Sequence, residues 1–400
     1  MLKDQNRISR RRLLALAGAG AAGLAWRFPT PALAQGTPIK VGVLLPYSGT
    51  YAQLGEAITR AMELYVKKQG GVLAGRPITF IKLDDESAPP KGPELTTKLV
   101  EGEKVDVLIG TVHSGVAMAM SKIAREAGVP TIIPNAGADI LTRAQCAKNI
   151  FRSSFSNGQV GIACGQVMAE AGIKRVVTAN WKYAAGEETL AGFRSTFTKG
   201  GGQILKEIAP PFPNVEFQSA LAEIGSIKPD AVFAFFAGGG AVKWLKDYAA
   251  AGLRKSIPLW GPGFLTDGVE SSIAGEADGL FTVMHYADDL DNAENKAFRA
   301  AFEAEYKAAA DVYAVQGWDA AALLDAGLKA VGGDASKRDA LNAAIARVTF
   351  NSPRGPFKLS AAHNPVQNFY LREFKSGANR FVRNAVPALA DPGTGCRLGA

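Results

Sequence analysis

The sequence predicts an α/β protein made of two doubly wound parallel-sheet lobes joined by three crossover strands. Three observations predict it. Short β-branched runs alternate with amphipathic stretches from Ile39 onward, and the alternation begins afresh near Arg175 with elements of similar size. A chain of 400 residues also exceeds what one hydrophobic core usually serves.

In the first set, strands are expected at Ile39–Leu45, Ile78–Leu83, Val105–Ile109 and Thr131–Ile133, with helices over Gly55–Gln69, Pro93–Glu103 and Ser114–Ala127. The second set has strands at Arg175–Ala179, Gln203–Ile208, Ala231–Phe235 and Pro258–Trp260. Its helices fall at Gly158–Ala171, Glu187–Lys199, Phe217–Ile224 and Gly240–Ala251. The last third reads as three helices, Asn292–Ala309, Val315–Val331 and Lys337–Ala346, then strands at Phe357–Leu359 and Asn368–Phe374. No Pro/Gly/Ser-rich linker sets this tail apart as a third domain, so its helices are expected to return to lobe 1 and its strands to lobe 2. Lobe 1 then comprises 39–154 plus 286–350, lobe 2 comprises 155–285 plus 351–385, and 386–400 is a tail. Crossovers fall near Arg152–Asn157, His285–Asp288 and Asn351–Gly355, a hinge that closes without unfolding either lobe.

Residues 1–34 read as a removable signal peptide. Ser9-Arg10-Arg11-Arg12-Leu13-Leu14 precedes an apolar stretch to Trp26, and Ala32-Leu33-Ala34 forms a small-residue cleavage site. The paired arginines resemble the twin-arginine export signal, with an ordinary Sec signal as the alternative. The apolar run is shorter than the ~20 residues a membrane span needs, and no Cys follows the cleavage site. The segment holds six basic residues against Asp4, so of the formal +8 the rest of the chain keeps only +3. No basic cluster with interleaved aromatics follows, which excludes a nucleic-acid footprint. In an exported chain, Cys146 and Cys396 sit in loop-like surroundings and are expected to be bridged, whereas Cys164 lies in an apolar helical stretch as a buried thiol.

The opening Ile39-Lys-Val-Gly-Val-Leu-Leu-Pro-Tyr-Ser-Gly49 with Gly55, Asp84-Asp85, Ile109-Gly110 with Ser114, Pro134-Asn-Ala-Gly137, Trp181-Lys-Tyr-Ala-Ala-Gly186 and Ser219-Ala-Leu with Lys228-Pro-Asp230 occur in order and spacing. Together they resemble the type I periplasmic binding proteins of the leucine/isoleucine/valine-binding family, over Ile39 to about Phe381. The resemblance implies a periplasmic, monomeric binder that delivers a small molecule to the membrane permease of an ABC importer, without a cofactor. It also implies that a ligand carboxylate is held by Ser114 and by groups at Asn135, Ala136 and Gly137. Physics agrees with that placement, because strand C-termini and the helix N-termini after them face the crevice of such sheets. Ser114 is also readable as a plain helix N-cap.

One departure is informative. Family members that bind amino acids place an acid after Gly-Pro to pair with the ligand ammonium, and here Gly263 stands there. A buried ammonium without a charged partner is costly. Tyr47, Tyr51, Trp181, Tyr183, Phe235, Phe236, Phe264 and Trp318 fall at positions suited to lining the cleft, with His113 beside Ser114. The set resembles the family members that bind benzoate- or cinnamate-like acids, so an aromatic carboxylate is the expected ligand. A branched-chain or other amino acid is the alternative, and a sensory ligand-binding receptor is the alternative of another class.

Catalysis has weak support. His113, His285 and His363 lack metal-ligand spacing, and no Gly-x-Ser-x-Gly elbow surrounds Ser114. Gly238-Gly-Gly240 lacks the lysine of a phosphate loop, and Asp84-Asp85 reads as capping and loop solvation.

Overall fold

The computed structural model describes residues 36–398, so the expected signal segment lies outside the described residues. The first sheet contains β1 (Ile39–Leu45), β2 (Val72–Leu73), β3 (Arg76–Asp84), β4 (Val107–Gly110), β5 (Thr131–Ile133) and β6 (Ile150–Arg152), in the order β2-β3-β1-β4-β5-β6. All pairs are parallel except the short β2–β3 hairpin. Its covering helices include α1 (Ala52–Lys68), α2 (Lys91–Thr97) and α3 (Ser114–Ala127). Gly128 ends α3 in the left-handed region at φ 64°, where Val129 N–H reaches the Ala124 carbonyl at 3.1 Å.

The chain then leaves this sheet. It continues through α4 (Asn157–Glu170), β7 (Arg175–Asn180), α5 (Ala184–Phe197), β8 (Gln203–Ile208), α6 (Gln218–Ile227), β9 (Ala231–Phe235) and α7 (Gly238–Ala250). β10 (Leu259–Pro262), α8 (Glu270–Ala277) and β11 (Phe281–Met284) follow. β9 is buried along its whole length, as a central parallel strand should be, whereas β8 carries Lys206 and Glu207 outward at the sheet edge. α4 and α5 pack backbone to backbone, because a Cβ at Gly161 would strike the Thr189 carbonyl and one at Gly192 the Gly158 carbonyl.

After β11 come α9 (Ala293–Tyr306), α10 (Val312–Ala330) and α11 (Arg338–Ile345). These helices pack on the first lobe. Tyr306 donates to the Arg60 carbonyl of α1 at 2.8 Å, and Gly317 of α10 sits against the backbone of Ile58. β12 (Thr349–Ser352) and β13 (Gly355–Lys358) then form a hairpin, so 351–355 is a turn with flanking strand ends rather than a single crossing strand. β14 (Gln367–Lys375) and β15 (Ala378–Leu389) complete the second sheet, order β15-β14-β11-β10-β9-β7-β8, running antiparallel at its β14–β15 edge.

The expected 386–400 tail is therefore partly strand: Val386 pairs with Phe369 and Leu389 with Gln367. Beyond it, Asp391 is buried against Arg143 at 2.8 Å and against the Ser156 hydroxyl at 2.5 Å. Cys146 and Cys396 are bridged, with Cα atoms 5.5 Å apart, and Cys164 is a buried free thiol. Among the described residues, no helix is long and apolar enough to cross a membrane, and no cluster of three His, Cys, Asp or Glu forms a metal site.

Candidate functional site

A narrow cavity of about 20 Å³, room for about one water molecule, lies between the two sheets, so an aromatic ring enters only as the walls move apart. Its walls come from the C-terminal ends of the parallel strands: Val112 after β4, Asn135 and Gly137 after β5, Phe155 after β6, Phe235 at the end of β9 and Phe264 after β10. Six helices also begin at it. Tyr51 and Leu54 open α1, Ser114 opens α3, Asn157 α4, Ala185 α5, Ala237 α7 and Tyr313 α10. The first-turn N–H groups of a helix lack intrahelical partners and carry the positive end of its dipole. No lining residue bears a formal charge, so that positive bias is not cancelled within the wall.

Local sequence explains these placements. Ser156 and Gln159 form a capping box, the Ser156 hydroxyl accepting from Gln159 N–H at 3.3 Å and Gln159 Oε1 from Ser156 N–H at 3.4 Å, which starts α4 with Asn157 facing the cleft. At α3 the cap is His113, not Ser114: His113 Nδ1 accepts from Gly115 N–H at 3.0 Å. Burial lowers the His113 pKa from 6.5 to about 4, keeping the ring neutral and the cap intact. Ser114, relieved of capping, takes the first helical position, where its Oγ accepts from Asn157 Nδ2 at 3.3 Å.

Asn157 Nδ2 also lies 2.8 Å from Glu188 Oε2, which accepts from Asp139 N–H at 2.9 Å. Tyr51 and Tyr183, one from each lobe, meet hydroxyl to hydroxyl at 2.8 Å, and Gly239 N–H reaches the Thr50 carbonyl at 3.3 Å. These contacts hold the lobes in a closed arrangement.

Of the residues singled out in the sequence, Tyr51, Ser114, Asn135, Gly137, Tyr183, Phe235 and Phe264 line the cavity. His113 stands behind them, stacked on Tyr183 at 4.7 Å. Trp181 is fully buried, its Nε1–H donating to the Asn214 carbonyl at 2.8 Å, and packs edge-on to Phe212 and Phe236. Phe236 in turn belongs to the core with Phe217 and Trp244. Tyr47 turns away to bond Thr59 at 2.8 Å, and Trp318 packs on Tyr65 and Phe298 outside the cleft. Ala136 is fully buried in the small core beside α3.

Gly263 also differs from expectation. A Cβ there would collide with Arg372 and Asp267, a fully buried ion pair with atoms 2.8 Å apart, so a side chain at this position meets that pair rather than a ligand. Phe264, the next residue, faces the cavity instead.

Gly238 and Gly240 serve close packing: the first would clash with the Thr50 carbonyl and the second with the Trp181 indole. Asp84 holds the loop after β1 by accepting from Tyr47 N–H at 2.8 Å and Ser48 Oγ at 2.6 Å. The sequence reading missed Phe155, Asn157, Tyr313 and the aliphatic lining residues. For Asn157 the signal was present, since Ser156-x-x-Gln159 precedes an apolar run.

A fold of two such lobes, with an enclosed cleft at the strand ends, defines the binding-protein class. The chain belongs to the periplasmic binding protein family, whose profile matches residues 38–379. It is similar to the solute-binding protein of an ABC transporter from R. palustris, solved in complex with benzoate: 67% identity, 90% of this chain and 100% of that one, TM-score 0.89. A second solute-binding protein of an ABC transporter, from Rhodopseudomonas palustris BisB5 in complex with 3,4-dihydroxybenzoic acid, is 35% identical over 89% of this chain and 99% of its own, with TM-score 0.85. Leu/Ile/Val-binding protein homolog 6 of Brucella melitensis is 29% identical over 345 residues, 84% of this chain and 87% of its own.

Proposed function

We propose that this chain is an exported solute-binding protein that encloses an aromatic carboxylate of benzoate type between its lobes and passes it to the membrane permease of an ABC importer. The observation that carries this is the cavity wall: six aromatic side chains, three neutral polar side chains at Ser114, Asn135 and Asn157, and no acid to pair an ammonium. The carboxylate sits against the first turn of α3, with the Ser114 hydroxyl, whose own hydrogen is unspent, as a neutral donor. A buried carboxylate is tolerable only when hydrogen-bonded, and closure strengthens those bonds by excluding water. Phe155, Phe235 and Phe264 sandwich the ring. The two R. palustris neighbours solved with benzoate and with 3,4-dihydroxybenzoic acid support the reading.

The Brucella relative favours the amino-acid alternative by its name, but a ligand ammonium in this cavity would face only neutral groups. Calorimetry with benzoate and a cinnamate against leucine, valine and phenylalanine decides between them. Heat from the aromatic acids alone is expected, while tight binding of leucine or valine with none from the aromatic acids overturns the proposal. Export through the twin-arginine route rests on Arg10 and Arg11. Changing both to Lys should abolish accumulation outside the cytoplasm, and undiminished export would return the signal to the Sec class.

A further inference from the structure

Three tyrosine hydroxyls belong to the cavity wall, and they are not equivalent. Tyr51 and Tyr183 satisfy each other at 2.8 Å. Tyr313 is fully buried, and its hydroxyl has no hydrogen-bond partner. A buried orphan of this kind is uncommon in folded proteins and calls for an explanation. Packing gives no other role for the oxygen. The ring is roughly parallel to Phe264, centroids 6.5 Å apart, and leaves no room for a Cβ on Gly268, features that a phenylalanine would reproduce.

The Tyr313 ring stands apart from the carboxylate-binding end along a chain of aromatic contacts. From Gly137, the path along the wall runs through Phe155, which a Cβ on Gly137 would touch, then Phe264 at 5.1 Å from Phe155, then Tyr313. Ser114 and Asn157 are at the start of that path, bonded to each other. The cavity therefore has an anion end, aromatic walls and a single unspent phenol beyond the ring.

Building on the aromatic-carboxylate reading, we propose that Tyr313 is a specificity-determining residue whose hydroxyl bonds a ring substituent, so that the preferred ligand is a ring-hydroxylated benzoate rather than benzoate itself. A hydroxyl both donates and accepts, which suits a second phenol. Burial first, then the carboxylates of Asp267 and Asp311, raises the Tyr313 pKa and keeps the phenol protonated. A site built to bond a ligand hydroxyl disfavours the analogue that lacks one, because the buried partner is then left unpaired.

Calorimetry on the wild-type chain with benzoate, 3-hydroxybenzoate, 4-hydroxybenzoate and their methyl isosteres, 3- and 4-methylbenzoate, tests the proposal. At least one hydroxybenzoate should bind on the order of tenfold tighter than benzoate, while its methyl isostere, equal in shape, should not share the gain. In Tyr313→Phe, the hydroxybenzoate-to-benzoate affinity ratio should fall to about one. The proposal is overturned if benzoate binds as tightly as both hydroxybenzoates, if the methyl isostere matches its hydroxyl counterpart, or if the ratio survives in Tyr313→Phe. Those results leave the aromatic-carboxylate reading standing. Absence of binding by every acid in the panel instead removes that reading and the proposal with it.

Discussion

Closure of the cleft is tested by the Tyr51–Tyr183 pair, because the effect of breaking it depends on which oxygens remain. In Tyr183→Phe the Tyr51 hydroxyl, 1% exposed, loses its partner at 2.8 Å. An unsatisfied buried hydroxyl costs about 1–3 kcal/mol. The open cleft hydrates the same oxygen, so the penalty falls on closure and weakens any ligand by roughly 5- to 150-fold. Tyr51→Phe orphans Tyr183 in the same way. The double variant leaves no orphan and loses only the net worth of one hydrogen bond, about 0.5–1.5 kcal/mol or roughly 2- to 13-fold. It should therefore bind benzoate better than either single variant. Calorimetry on the four proteins closes the cycle. Additive losses, with the double variant as weak as the two singles multiplied together, would refute closure through this pair and place each hydroxyl on the ligand separately.

Other consequences concern stability. His113 is held neutral in the folded chain down to about pH 4, whereas the unfolded chain protonates it near 6.5. Its contribution is thus fully present above 6.5 and is lost as pH falls to 4, on the order of 3 kcal/mol in all. His113→Asn keeps a capping oxygen but cannot titrate, so its stability deficit in urea melts should shrink between pH 7 and pH 4; a constant deficit contradicts the neutral cap. Arg354 Nε lies 2.9 Å from Asp319, both buried, while its Nη1 reaches the Ser154 carbonyl at 3.1 Å, tying the β12–β13 hairpin to α10 and the first crossover. Arg354→Met should cost about 3–5 kcal/mol by stranding the Asp319 carboxylate, and Arg354→Met with Asp319→Leu should recover much of it. A double variant no more stable than the single one counts against that assignment. Gly263→Glu should destabilise by about 1–3 kcal/mol or more, through collision with Arg372 and Asp267, without creating leucine affinity. Gain of leucine binding would restore position 263 to the ligand site.

The elements were legible where their periodicity is long. α3 runs from Ser114 to Ala127 as its sequence predicts, and β1, β5, β8 and β9 also keep their expected bounds. β6, with three residues, and β11, with four, pass as loop until sheet neighbours pair with them, whereas the equally short β5 was legible as the β-branched run Thr131-Ile-Ile. β15 was hidden for another reason. It carries Arg380, Arg383, Asn384 and Pro387 on an edge strand with bulged pairing, where charge and proline are tolerated.

In the site, residue type was easier to read than direction. Tyr51 precedes the first turn of α1 and faces the cleft, whereas Trp318 lies within α10 and packs on α9, a difference of direction that only packing fixes. Tyr313 escaped because α10 begins at Val312, three residues before its apolar period becomes clear at Val315. Gly263 was informative as a missing acid, but the neighbouring Arg372–Asp267 pair, brought in from β14, was invisible along the chain.

The most direct test of the central claim is a crystal structure of the exported chain grown with benzoate. The account predicts the molecule enclosed between the lobes, its carboxylate within hydrogen-bonding distance of the Ser114 hydroxyl and the first turn of α3, and its ring between Phe155, Phe235 and Phe264. Benzoate bound outside this cavity, or inside it with the carboxylate turned toward Tyr313 and away from Ser114, would contradict it.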